Sequence, residues 1–213
     1  EVRALVGETD DAARDHAGIS RIVDGAYASD HPTKIPAGRL ELDLAAGQTV
    51  TEFQLDLATA TGRAQLAPGR AVEAFFCADQ PVALLRIPGA APRELRLLAP
   101  LAVKKIGFPD PVRGSATNAQ WFTQQTAEGH TTCVYVVTRR AAGTTLVATT
   151  VTFSPHDGAD VIAAARRLVD AALAAGYDAR HETHAAWWRG VWAKSSVTIP
   201  DAQVLQHYHL VQY

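Results

Sequence analysis

Along most of the chain the apolar positions recur with a period of two. In "GRLELDL" (38–44) Leu40, Leu42 and Leu44 alternate with Arg39, Glu41 and Asp43, the pattern of a strand with one buried face. "VTEFQLDL" (50–57) repeats it, with Phe53, Leu55 and Leu57 expected inward, and "AAGQ" between the two reads as a turn. Short apolar runs follow, "GRAQLA", "AVEAFFCA", "VALLRI" and "ELRLLAPLAV", each punctuated by Gly, Pro or Asp. A Gly/Ser/Asn stretch at 113–119 reads as a loop. After it come "WFTQQTA", "TTCVYVVTRR" and "TTLVATTVTF"; the last two are rich in Thr and Val and are joined by "AAGT", which predicts a hairpin. Such regular strands, with no helical period between them, predict an antiparallel sandwich or barrel. Ahead of them, "EVRALVGE" (1–8) reads as a further strand and residues 9–36 as a long irregular connection.

At Ser154 the period changes. "SPHD" reads as a helix start, with Ser154 as N-cap, Pro155 in the first position and Asp157 reaching back. Val161, Ile162, Ala165, Leu168, Val169 and Ala172 then form one apolar stripe, and Gly176 ends the helix. Asp178 is the expected cap of a second helix running to about Lys194, and Asp201 that of a third, with Val204, Leu205, Tyr208 and Val211 along one side. The division expected is a β-domain over 1–153, a helical linker over 154–200 and the first helix of a further domain over 201–213. The chain starts at Glu1 and stops at Tyr213 with no C-cap signal, so it reads as a piece of a longer protein, and its localisation is left open.

Composition narrows the function more than the fold. With 213 residues, 47% hydrophobic and 20% charged, the chain has ample material for a core. Its net charge of −2 is spread evenly. There is no basic stripe for nucleic acid, no polybasic run for a membrane surface and no apolar run of membrane-spanning length. Cys77 and Cys133 sit in apolar strand-like runs and are expected as buried free thiols.

The densest chemistry lies in "HETHAAWWRGVWAKSSV" (181–197). It falls short of the zinc-protease string, because His181 and His184 stand three apart instead of four and no third ligand accompanies them. No metal and no cofactor is expected. His184, Trp188 and Trp192 instead form a ridge on one helical face, which is expected to pack against the β-domain, with the third helix left bare and available to pair two copies of the chain. "HYH" (207–209) reads as partly exposed helix. "NAQWFTQQ" (118–125) is the best ligand candidate, because an aromatic ring flanked by amides suits sugar recognition. Trp121, Gln124 and Gln125 are its expected contacts, and a core tryptophan is the competing reading. Asp10/Asp11, Asp157/Asp160 and Asp178/Glu182 read as caps and loop charges. No nucleophile elbow, phosphate loop or catalytic pair is apparent.

Three stretches resemble a known architecture. "GRLELDL…FQLDLATATGRAQL" (38–66) and "AVEAFFCADQPVALLRI" (71–87) are similar to paired strands of glycoside hydrolase family 95. "HAAWWRGVWAKSSVTIPDAQVLQHYHLVQY" (184–213) is similar to its linker, H-x-x-x-W-x-x-x-W-x-x-S-x-V-x-I/L-P-D followed by a helix. His184, Trp188, Trp192, Ser195 or Ser196, Pro200, Asp201 and Tyr213 carry that match. The family's N-terminal Gly-Asn-Gly stretch and Asn-Glu…Trp string are missing from residues 1–37, so a related group of sandwich-plus-barrel hydrolases fits equally. The resemblance implies a mostly β fold, an antiparallel, supersandwich-like β-sandwich followed by linker helices. It also implies an (α/α)6 barrel as the partner, in which the catalytic acid and base lie beyond Tyr213. The chain is then a non-catalytic domain of a carbohydrate-active hydrolase, with an oligosaccharide as further partner. The alternative is a free-standing carbohydrate-binding or mutarotase-like sandwich.

Overall fold

A computed structural model describes residues 36–43, 47–67, 69–89, 92–194 and 197–212; the readings for residues 1–35 lie outside these. The protein is mostly antiparallel β, followed by helices. Ten strands are described: β1 (Arg39–Asp43), β2 (Thr49–Asp56), β3 (Thr61–Ala67), β4 (Arg70–Phe76), β5 (Val82–Pro88), β6 (Glu94–Leu98), β7 (Val112–Ala116), β8 (Ala119–Gln125), β9 (Thr131–Ala141) and β10 (Thr144–Phe153). The helices are α1 (Ala102–Lys105), α2 (Val161–Ala175), α3 (Tyr177–Trp192) and α4 (Ala202–Gln212). The chain divides into two compact units, residues 1–36 with 100–109, and residues 37–99 with 110–213. The described part of the first contains α1, closed by the Phe108 N–H donating to the Val103 carbonyl.

Eight strands form one antiparallel sheet in the order β2-β3-β4-β5-β10-β9-β8-β7, and β1 pairs with β6 in a second, two-stranded sheet. The centre is the β9–β10 hairpin read from the sequence. Its two-residue turn, Ala142-Gly143, has positive φ at both positions (47° and 74°), the backbone that matches the strands' twist and that glycine adopts without strain.

Both faces of the central strands are covered, and β10 buries Thr145, Thr150 and Thr152 along with its apolar residues. On one face Val82, Leu84, Cys133, Tyr135 and Ala148 meet Val161, Ala165, Val169 and Ala172 of α2, the stripe the helical period predicts. On the other, Ile87, Phe122, Val134, Val136 and Val147 meet Leu97, with Leu40, Leu42 and Leu95 packed beside them from β1 and β6. Arg113 Nη1 and Gln120 Nε2 donate to the Leu97 and Leu95 carbonyls, at 2.9 and 3.3 Å, and tie β6 to β7 and β8. Cys77 and Cys133 are buried free thiols; burial pushes the Cys133 thiol up to about 11.

Four expectations are corrected. Residues 112–116, expected as loop for most of their length, form edge strand β7 and pair with β8; "VRGSA" lacks the alternation that marks a half-buried strand. The run "ELRLLAPLAV" leaves strand geometry at Leu98. Helix α2 starts at Val161 with Asp160, not Ser154, as its cap: Asp160 Oδ1 accepts from Ala163 N at 2.9 Å. Ser154 Oγ instead accepts from Thr131 N and Asp157 Oδ2 from Phe153 N, closing a turn after β10. Finally Phe53 and Leu55, expected inward, are 80% and 41% exposed, because β2 is an edge strand and the two-stranded layer covers only the other half of the sheet.

Phe122 has no exposed surface, whereas Phe53 is largely exposed. Phe122→Ala is expected to lower stability by about 3–5 kcal/mol, through lost burial and the cavity left behind. Phe53→Ala is expected to change it by no more than about 0.5 kcal/mol. Urea unfolding of both variants beside the parent checks this; equal losses would mean that the second layer does not exclude water from Phe122.

Candidate functional site

Strand register assembles a polar row that no single segment of sequence reveals. Gln54 pairs with Arg63, Arg63 with Glu73 and Glu73 with Arg86. Directly opposed residues point to the same face of a sheet, so these four side chains cross β2, β3, β4 and β5 in one line. Glu73 is the pivot. Its Oε1 accepts from Arg63 Nη2 at 2.6 Å, and its Oε2 accepts from Arg86 Nη2 and Nε at 2.5 and 3.1 Å. Burial by itself would raise the Glu73 carboxyl, but the hydrogen bonds and charges of Arg86 and Arg63 outweigh it and hold the group below the usual carboxylate range. Arg86 responds in kind: burial would lower its pKa, and the contact with Glu73 raises it.

Helix α3 closes one side of the row. It begins directly after Gly176, whose φ of 85° reverses the chain at the end of α2. Asp178, expected to cap α3, makes no cap; its Oδ1 accepts from Arg86 Nη1 at 2.6 Å instead. The Arg86 guanidinium also lies 4.2 Å from the centre of the Tyr177 ring, close enough for a cation–π attraction. Between row and helix lies a cleft of about 420 Å³, lined by Gln54, Asp56, Thr59, Thr61, Arg63, Glu73, Arg86 and His181.

The histidines of the "HETH" string hold α3 to the turn between β2 and β3. Thr61 donates its hydroxyl hydrogen to the Thr59 carbonyl, at 3.0 Å. The same hydroxyl is in hydrogen-bond contact with His181 Nε2, 2.9 Å away. His184 Nε2 donates to the Ala60 carbonyl at 3.2 Å and Trp192 Nε1 to the Leu57 carbonyl at 2.8 Å. Phe75 stacks on the His184 ring with centroids 4.8 Å apart. His184 is 2% exposed, and burial, helped by nearby His181 and opposed by the Ala60 hydrogen bond, lowers its pKa below 6.5. The expected ridge thus docks on the β-domain, but unevenly: His184 is buried, Trp188 and Trp192 are half-buried and Trp187 is 50% exposed. Both histidines already commit Nε2 to protein partners. Among the described residues no group of three His, Cys, Asp or Glu is placed to hold a metal. His207 is exposed and His209 is half-buried, edge-on to Trp192.

The residues expected to contact sugar lie on β8, away from this cleft. Trp121 is half-buried and stacked on Tyr135, 5.4 Å between centroids. Its ring lies over Gly114, where a Cβ would come within 2.3 Å of the indole, so only glycine lets the ring settle against β7. A smaller cleft of about 260 Å³ opens beside it, between Arg113, Gln120 and Leu97. Gln124 is 3% exposed, with Nε2 donating to the Gln125 carbonyl at 2.9 Å, and Gln125 is exposed. Strand alternation places Trp121 and Gln125 on one face of β8 and Gln124 on the other. The polar row itself escaped sequence reasoning. Its signal was a charged residue in each of "GRAQLA", "AVEAFFCA" and "VALLRI", readable as one line only once the pairing is known.

No family model matches the sequence, and no curated protein does. Among solved structures, one described as a kojibiose phosphorylase from the human microbiome aligns with 66% of this chain and 23% of its own, at 10% identity and a TM-score of 0.43. The chain therefore spans less than a quarter of that protein's length.

The lowered pKa of His184 fixes the sign of a pH effect. The unfolded chain binds a proton near pH 6.5 that the folded chain refuses. This contribution to stability is therefore complete above 6.5 and is lost as the pH falls through the lower folded value. Between about pH 7.5 and about pH 5, the parent is expected to lose more stability than His184→Gln, measured by urea unfolding at each pH. A larger loss in the variant would mean that His184 is charged in the fold.

Proposed function

We propose that this chain is the non-catalytic β-domain and helical linker of a carbohydrate-active hydrolase of the family 95 type or of a related sandwich-plus-barrel group. The domains are then residues 1–153, the linker 154–200 and, from 201, the first helix of an (α/α)6 barrel. One observation carries the reading: α3 is fastened along its length to the β2–β3 turn through Trp192, His184 and His181, while α4, which follows it, has Val204, Leu210 and Val211 50%, 44% and 83% exposed. A fastened linker fixes where the next domain starts. Apolar residues on the helix after it give that domain a surface to bury. Asp201 supports the same role by fixing the start of α4, its Oδ1 accepting from Gln203 N and Val204 N. In this reading the chemistry belongs to the barrel, and a sugar-contact role for Trp121, Gln124 and Gln125 is part of the proposal.

The cleft's own carboxylates suit binding better than hydrolysis. Glycoside cleavage requires one carboxyl that gives a proton and another that attacks or activates water. Glu73 is held ionised by two guanidinium groups, so it has no proton to give. The Asp56 oxygens accept from Ala58 N and Thr59 Oγ1, at 3.0 and 2.7 Å. The same cleft favours the second reading, a free-standing carbohydrate-binding sandwich.

Residues 1–213 alone are expected to release no aryl alcohol from aryl glycosides, with or without added phosphate, whereas the parent protein carrying the barrel does. Turnover by residues 1–213 that disappears in Glu73→Gln would overturn the reading. A parent protein without a helical barrel would leave the second reading in its place.

A further inference from the structure

We infer that the cleft under α3 is a saccharide-binding site, in which Arg63, Gln54, Asp56 and His181 bind the hydroxyl groups of one neutral sugar ring. The choice of a saccharide among hydroxyl-rich ligands rests on the carbohydrate-active reading above; the cleft's preference for a neutral, hydroxyl-rich ligand does not.

A sugar hydroxyl both donates and accepts, so a site for neighbouring hydroxyls needs donors and acceptors side by side. The cleft has both. Arg63 spends Nη2 on Glu73 and is 51% exposed, so its remaining N–H groups face the opening. Asp56 is acceptor-only, with carboxylate lone pairs beyond the two bonds that close the turn. Gln54 brings both functions in one amide. His181 lines the cleft and adds an imidazole whose Nε2 is in hydrogen-bond contact with the Thr61 hydroxyl. These groups are also held in place before any ligand arrives: Arg63 by Glu73, Glu73 by Arg86, Arg86 by Asp178, and His181 by Thr61. For Arg63 and His181 less side-chain freedom remains to be lost on binding.

Charge argues against an anion. Two guanidinium groups, Arg63 and Arg86, face three carboxylates, Asp56, Glu73 and Asp178, and Arg86 is already shared between two of them. Size fits too, because about 420 Å³ lies within the usual range for small-molecule sites, roughly 300–1,000 Å³.

The test is a titration of residues 1–213 with D-glucose, D-galactose, L-fucose and, separately, inorganic phosphate, followed by amide chemical shifts. At least one sugar is expected to shift Thr61, Arg63 and His181, with affinity weakened about tenfold in Arg63→Gln and measurably in Gln54→Ala. Gln54 is exposed, so the second variant keeps the test valid if the first misfolds. No shift with any of the three sugars overturns the inference. So does phosphate binding without sugar binding, which would make the cleft an anion site. Sugar binding that both variants retain and Gln125→Ala abolishes also overturns it, by placing the site on β8. None of these outcomes involves turnover, so each leaves the barrel-hydrolase reading to its own assay.

Discussion

The register of strands β2 to β5 is the constraint from which the rest of this structure follows. Side chains on a strand alternate with a period of two, so a slip of one residue exchanges the two faces entirely. In the observed register Gln54, Arg63, Glu73 and Arg86 align on the face that carries α3. Phe53, Leu55, Ala74, Phe76 and Leu85 then share the opposite face, where Leu55, Ala74, Phe76 and Leu85 border an apolar hollow of about 370 Å³ with Leu40 and Leu42 of β1. Slipping any one of these strands would break the ion-paired row and press an apolar residue against α3. The ion pairs contribute to this choice of register more through specificity than through stability. Arg63 is half-exposed and Arg86 about one-third exposed, so solvent screens much of their attraction. What the pairs prevent is the wrong pairing, in which Glu73 would be half-buried with no cation beside it.

The two halves of the large sheet have different energetic supports. Under β5, β10, β9 and β8 both faces are packed, and residues such as Phe122, Cys133, Val147 and Val169 have no exposed surface. Those strands are held by burial. Towards β2 the face away from α3 is less covered, with Phe53 and Phe76 80% and 78% exposed although Leu66 is buried, so side-chain contacts along α3 carry more of the load there. Those contacts are polar at their ends and aromatic in their middle: Trp192, His184 and His181 reach the turn, while Phe75 stacks between Tyr177, His181 and His184. The charged cleft lies in the half braced by one helix, where polar positions beside α3 stay uncovered.

How much of this was legible in the sequence depends on the distance over which each feature is encoded. The β9–β10 hairpin, the apolar stripe of α2 and the Asp201 cap are encoded within a few residues, and all were readable. Strand β7 was missed because an edge strand buries little and "VRGSA" has no alternation to display. Ser154 reads as a cap because its surrounding tetrapeptide carries a helix-start signal that the chain uses for a turn. Phe53 and Leu55 alternate as a buried strand does, but alternation reports which residues share a face and not whether anything covers it. For the candidate site the gap was wider. Trp121, Gln124 and Gln125 were adjacent in sequence and the strand separates them onto two faces. The polar row lies across four strands and 33 residues of chain, from Gln54 to Arg86, and becomes visible only with the pairing.

The "HETH" string shows how one short segment can serve docking and binding together. His181, His184, Trp188 and Trp192 follow one another at intervals of three, four and four, which keeps them on one stripe of α3. Two of their polar atoms end on backbone carbonyls, those of Ala60 and Leu57. The docking therefore depends on the shape of the β2–β3 turn more than on its side chains. That shape is set by Asp56, which accepts from Ala58 N and Thr59 Oγ1, and by Ala60, whose φ of 48° turns its carbonyl out of the sheet ladder. Asp56, Thr59 and Thr61 also line the charged cleft, together with His181. The groups that would meet a ligand are thus the groups that fix the turn and hold the helix. Of the hydrogen bonds that hold α3, the one between His181 and Thr61 borders the cleft, so one pair of side chains belongs both to the docking of the helix and to the polar lining.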